Sequence, residues 1–299
     1  MIMTTRYWML LMSCLLIIGC IPESQQLVIK SVQVPAMVKV GEVDYVILDC
    51  DYELQNTSAH GLVVKWFFES DKLVYQWIHG LDPLAAEPAE KYVDLTYRAS
   101  DDPYTEYRAM KLNKPGIDLT GEYTCVISTF EDEKTENATM VIYATGEIFN
   151  FNYTRKTIKD DKDGLEATCM AKGLYPLPTL DISVVDVPDK QATKPIVTQR
   201  EDGLYDILSR IELLDEELPE ATATLECILG IPRANYRVSR MTDYNSGTAT
   251  TTSATAISQH EMDVQALDNS NHGGGNFIDH TSVDFLLLLI HLFLFILSH

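Results

Sequence analysis

The strongest constraint on this chain comes from two cysteines and the residues around them. Cys50 lies in Val46-x-Leu48-x-Cys50-x-Tyr52, where alternate positions share one face of an extended strand. Trp66 follows within Val64-Lys65-Trp66-Phe67-Phe68, and Cys125 closes Leu119-Thr120-Gly121-Glu122-Tyr123-Thr124-Cys125. Cys169 and Cys227 form a second group, while Cys14 and Cys20 fall in or beside an apolar leader. An even number of thiols in an exported chain points to disulfides, and four cysteines permit three connectivities. Zinc would need paired Cys-x-x-Cys spacing with histidines nearby, and the sequence has neither.

Between about residues 25 and 240 the chain is built from short runs of alternating apolar residues. Val43–Tyr52, Leu62–Phe68, Leu73–Ile78, Gly121–Thr129 and Ala138–Tyr143 are examples, separated by turn-like pieces such as Asp71-Lys72 and Glu131–Lys134. Many strands at this rhythm, with no long helical stripe, predict an all-β sandwich. The pattern restarts around Ala144–Glu147. This predicts a very short linker between one sandwich over 25–144 and a second over 146–240.

The first set of motifs resembles the immunoglobulin fold. In that fold a disulfide between strands B and F packs against a strand-C tryptophan, and a tyrosine stands two residues before the second cysteine. The resemblance implies a Cys50–Cys125 bridge, with Trp66 and Tyr123 in the core. The interval of 75 residues leaves room for C′ and C″ strands, as in variable-type domains. One departure is Leu119, where such domains usually carry an acid; Asp118 is one residue out of register, so the usual ion pair is expected to be missing. Cys169-Met170-Ala171-Lys172-Gly173-Leu174-Tyr175-Pro176 and Gly203–Ile211 resemble strands B and E of a constant-type domain. That implies a Cys169–Cys227 bridge in a degraded domain. No tryptophan follows Cys169, so Ile182 or Val184 is expected in its place, and Leu225 stands where the corner tyrosine would be.

The ends carry processing signals. Arg6 precedes an apolar run from Tyr7 to Ile18, which reads as a secretory signal peptide over residues 1–20; a bacterial lipoprotein signal modified at Cys20 is the competing reading. Residues 242–276 lose periodicity and include Gly247–Thr255, the composition of a disordered, O-glycosylated stalk or a plain linker. Residues 277–299 end in the apolar run Phe285–Leu297, which spans only about 20 Å at the helical rise. With Gly273-Gly274-Gly275 ahead of it, this tail matches a GPI-anchor signal; Gly273 is the expected attachment residue, with Asn271 and Gly274 behind it. A short membrane span is the alternative. Asn56, Asn137 and Asn152 each begin an Asn-x-Ser/Thr acceptor for N-glycans.

A formal net charge of -21 excludes nucleic acid as a natural partner and argues against docking on anionic lipid. No nucleophile–base pair, metal cluster or phosphate cradle is legible, and of seven histidines only His60 and His79 fall in the folded part. The expectation is a protein without enzymatic activity, metal or cofactor. What remains is recognition. Trp66 points inward, so Phe67 points outward, as do Val126 and Phe130; a regular hairpin places Tyr75 and Trp77 beside them. Phe67, Tyr75, Trp77, Val126 and Phe130 are therefore the candidate partner-binding set, unless strand C″ or a neighbouring domain covers these rings or the C′ register slips by one.

Val64-Lys65-Trp66-Phe67-Phe68 followed by Leu73-Val74-Tyr75-Gln76-Trp77 is similar to the insect immunoglobulin proteins of the Beaten path family. That resemblance implies a cell-surface protein of axon guidance or synaptic partner choice, binding Sidestep-like receptors through its first domain. The alternative is a secreted or shed immune protein that scavenges small or microbial ligands.

Overall fold

A computed structural model describes residues 26–158, 161–185, 187–218 and 222–246. The leader, Gly273 and the terminal apolar run lie outside them, as does the stalk beyond Ser246.

Sixteen strands and three short 3-10 turns make up the described chain. The first nine strands are β1 (Val28–Gln33), β2 (Met37–Lys39), β3 (Tyr45–Glu53), β4 (Val63–Phe68), β5 (Lys72–Ile78), β6 (Leu84–Ala85), β7 (Met110–Asn113), β8 (Gly121–Ser128) and β9 (Glu133–Thr157). The remaining seven are β10 (Asp163–Tyr175), β11 (Thr179–Val184), β12 (Val187–Gln191), β13 (Ile196–Gln199), β14 (Tyr205–Leu214), β15 (Thr222–Ile231) and β16 (Tyr236–Asn245).

In the first sandwich the sheet β1-β3-β7 packs against β6-β5-β4-β8-β9, with β2 added in parallel to β9. Strands β3 and β8 alternate buried and partly exposed residues along their length, as sheets with one wet face do. The buried side encloses Leu48, Trp66, Trp77, Leu112, Tyr123 and Ile127. Cys50 is bonded to Cys125, and Trp66 lies directly across from Cys125 on the neighbouring strand. The Tyr123 hydroxyl donates to the Leu119 carbonyl at 2.8 Å, closing a tyrosine corner.

The second sandwich packs β13-β14-β10-β9 against β12-β11-β15-β16, with Cys169 bonded to Cys227. Its core follows from the same register. Ile182 pairs with Cys227 as Trp66 pairs with Cys125, so the isoleucine takes the tryptophan's place. Leu225 is fully buried and supplies no corner hydroxyl; instead Tyr244 donates to Asp215 at 2.6 Å. Burial, and then that bond, push the Tyr244 hydroxyl up to about 12.

Three expectations need correction. No linker separates the sandwiches, because β9 runs unbroken for 25 residues, pairing with β8 through its first half and β10 through its second. The apparent restart at Ala144–Glu147 is a bulge. Gly146 has φ +81°, and a Cβ there would meet the Lys172 carbonyl oxygen at 2.3 Å, so only glycine fits. Gly146→Val is expected to lower stability by roughly 1–3 kcal/mol in urea denaturation. Next, the ordered chain does not stop near residue 240: β16 continues through Thr242, and Tyr244 is buried. Finally, an ion pair does form beside the corner. The Ile117–Leu119 3-10 turn swings Asp118 toward Lys91, whose Nζ lies at 2.8 Å, and the Tyr92 hydroxyl donates to Asp118 at 2.7 Å. Burial alone would raise this carboxyl, but the bonds from Lys91 and Tyr92 outweigh it and hold it below the usual range.

Candidate binding face

The outer surface of β6-β5-β4-β8-β9 is set by register. Across β9, β8, β4 and β5, Asn137, Thr124, Phe67 and Leu73 form one row, and Thr135, Val126, Lys65 and Gln76 form the next. Val63 and Ile78 lie in a third row, and Leu84 extends the Gln76 row onto β6. Phe67 and Val126 are outward and partly exposed, as expected from the sequence.

Tyr75 and Trp77 are not on this surface. Both are buried, at 2% and 0% exposure. A regular hairpin would pair Trp66 with Val74 and turn both rings outward. The register shifts between Phe67, which pairs with Leu73, and Trp66, which pairs with Tyr75, leaving Val74 as an extra residue. One added residue reverses the face of everything beyond it. Gln76 carried the signal: it is the only polar residue between Leu73 and Ile78, and the wet face belongs to it.

Burying these rings requires partners for their polar tips, and the irregular segment 86–109 supplies most of them. The Tyr75 hydroxyl donates to the Tyr107 carbonyl at 3.0 Å, the Trp66 indole to the Arg108 carbonyl at 3.3 Å, and the Trp77 indole to the Leu81 carbonyl at 3.1 Å. Removal from water raises the Tyr75 hydroxyl well above its ordinary value. Arg108 then ties the segment to β3, donating to both oxygens of Asp49 at 2.9 and 3.0 Å and to Asp51.

With the two rings removed, other apolar side chains define the face. Leu73 and Ile78 are each 37% exposed, Leu84 is 63%, and Leu81 in the β5–β6 turn is 61%. Sequence reasoning missed all four: the regular register gave Ile78's place to Trp77, Leu73 beside Phe67 was passed over although it faces outward in either register, and Leu81 and Leu84 lie beyond the β4–β5 pair. Phe130, at 84%, stands at the β8–β9 turn. Its backbone N–H donates to the His60 carbonyl at 3.0 Å and its ring rests on Gly61, where a Cβ would come within 2.4 Å. The three acceptor asparagines are all exposed: Asn56 between β3 and β4, Asn137 on this face, and Asn152 on β9 opposite Thr168 of the second sandwich.

Among the described residues no group of His, Cys, Asp and Glu could hold a metal, and no helix is long and apolar enough to cross a membrane. A cleft of about 470 Å³ in the second sandwich mixes Leu180 and Val184 with Asp181, Ser183, Thr193 and Glu226.

No protein-family model and no curated protein matches the chain. Among solved structures, bovine butyrophilin aligns with a TM-score of 0.53 and 16% identity, over 71% of this chain and 94% of that one. A structure of ICOS in complex with ICOS-L and an anti-ICOS-L VNAR domain aligns at 0.47 and 13%, over 70% and 98%. The likeness to butyrophilin is one of fold.

Proposed function

We propose that this immunoglobulin-fold chain is a cell-surface recognition protein that binds another extracellular protein through the outer face of β6-β5-β4-β8-β9. The observation that carries the reading is the group Leu73, Ile78, Leu81 and Leu84, four exposed aliphatic side chains on two adjacent strands and their turn. Exposed aliphatic side chains gathered on one side of a sheet gain most when a partner covers them. Glu122 and Glu133 face the same side from β8 and β9, and the chain as a whole carries -21. The complementary partner therefore presents an apolar patch to these side chains, with a charged rim that meets Lys65 on β4 as well as the two glutamates.

A signal peptide and a GPI-anchor signal, both read from the sequence, support a face displayed outside the cell and held to the membrane. The Beaten path resemblance makes Sidestep-type receptors the first partners to test, in axon guidance or synaptic partner choice. Screening the cell-displayed chain against a panel of extracellular immunoglobulin proteins is expected to yield a protein partner. Hits confined to small or microbial ligands would overturn the reading. Treatment with a phospholipase that cleaves GPI anchors is expected to release the chain from the cell; retention would remove the anchor.

A further inference from the structure

We propose that an N-linked glycan on Asn137 covers the β8–β9 half of this sheet face. The consequence for recognition, which rests on the function proposed above, is that the sugars reach as far as Phe67 on β4 and a docking protein is confined to the β5–β6 side.

Two independent observations support this. The first is position. Asn137 and Thr139, the two defining residues of the acceptor, are both exposed, and both face the same side as Thr124 and Glu122 across the ladder. Thr124 in turn pairs with Phe67, so Asn137, Thr124 and Phe67 stand in one row. Neighbouring strands lie about 4.8 Å apart, which puts Phe67 roughly 10 Å from Asn137. The first two sugars of an N-glycan span that distance. Val126 is a diagonal neighbour of Asn137 and falls under the same sugars. The other acceptors do not compete for the face: Asn56 lies in a loop, and Asn152 belongs to the second sandwich.

The second observation is chemistry. The face is divided. Strands β8 and β9 present Glu122, Thr124, Ser128, Glu133, Thr135 and Thr139, with Val126 the one apolar residue among them. Hydroxyls and carboxylates stay hydrated under a mobile sugar and gain less than aliphatic side chains from being covered by a protein. Strands β5 and β6 present Leu73, Ile78 and Leu84, which gain most from contact with a protein. The glycan thus stands on the half with least to offer a partner.

The test needs no partner. The full chain matured by cultured animal cells is analysed by glycopeptide mass spectrometry and then by hydroxyl-radical footprinting, alongside Asn137→Gln and Thr139→Ala. Both variants remove the acceptor at an exposed position, and agreement between them separates loss of the sugar from the asparagine change. The expected result is an occupied Asn137 and labelling of Phe67 that rises several-fold in both variants, while Leu84 and Phe130 label as before. An unmodified Asn137, or Phe67 labelled equally with and without the sugar, overturns the proposal. If the footprint holds and Leu84 substitutions leave partner binding intact, the glycan's placement stands and the recognition reading alone fails.

Discussion

The double substitution Cys50→Ala/Cys125→Ala is expected to destabilise the first sandwich by about 3–5 kcal/mol. The bridge closes a loop of 75 residues, and on the chain-entropy account its loss returns that freedom to the unfolded chain. The full cost includes packing, because Trp66 sits across from Cys125 and loses contact when the sulfurs go. Urea denaturation followed by tryptophan fluorescence isolates the effect. Apart from Trp8 in the leader, the tryptophans are Trp66 and Trp77, both in the first core. A denaturation midpoint equal to wild type would refute the expectation.

Trp77→Ala is expected to cost a further large amount, about 3–5 kcal/mol, as for a buried aromatic truncated in a packed core. On the regular-hairpin register the same residue would lie on the surface, where substitutions change stability by about 0.5 kcal/mol or less. The measurement therefore decides the register as well as the energy. Tyr75→Phe keeps the ring and removes only the hydroxyl that bonds Tyr107, with an expected loss of about 1 kcal/mol. If Trp77→Ala denatures like wild type, Val74 is not the bulged residue and the binding face must be redrawn.

The disulfide pairs, Trp66 and the tyrosine corner leave a strong mark on the sequence because each needs a rare residue at a fixed spacing. The all-β class was legible for the same reason: β3, β8 and β15 alternate cleanly. The binding face was legible only in part. Phe67 and Val126 follow from parity within single strands, and Phe130 falls in the β8–β9 turn beyond them, but β5 depends on one inserted residue between two strands, which parity within either cannot reveal. The long β9 was hidden too, since a bulge at Gly146 mimics a break in pattern. Segment 86–109, which takes up two of the buried aromatic tips, has no periodicity to read. The ion pair at Asp118 escaped because a 3-10 turn, rather than a strand, sets that side chain's direction.

The most direct test of recognition through this face is a binding screen of wild type beside Leu73→Glu/Leu84→Glu. Both leucines are exposed, so the double variant is expected to denature as wild type does. The account predicts that protein partners recovered with wild type are lost with the variant, because two carboxylates replace the apolar contact. Partners retained at wild-type strength would contradict it.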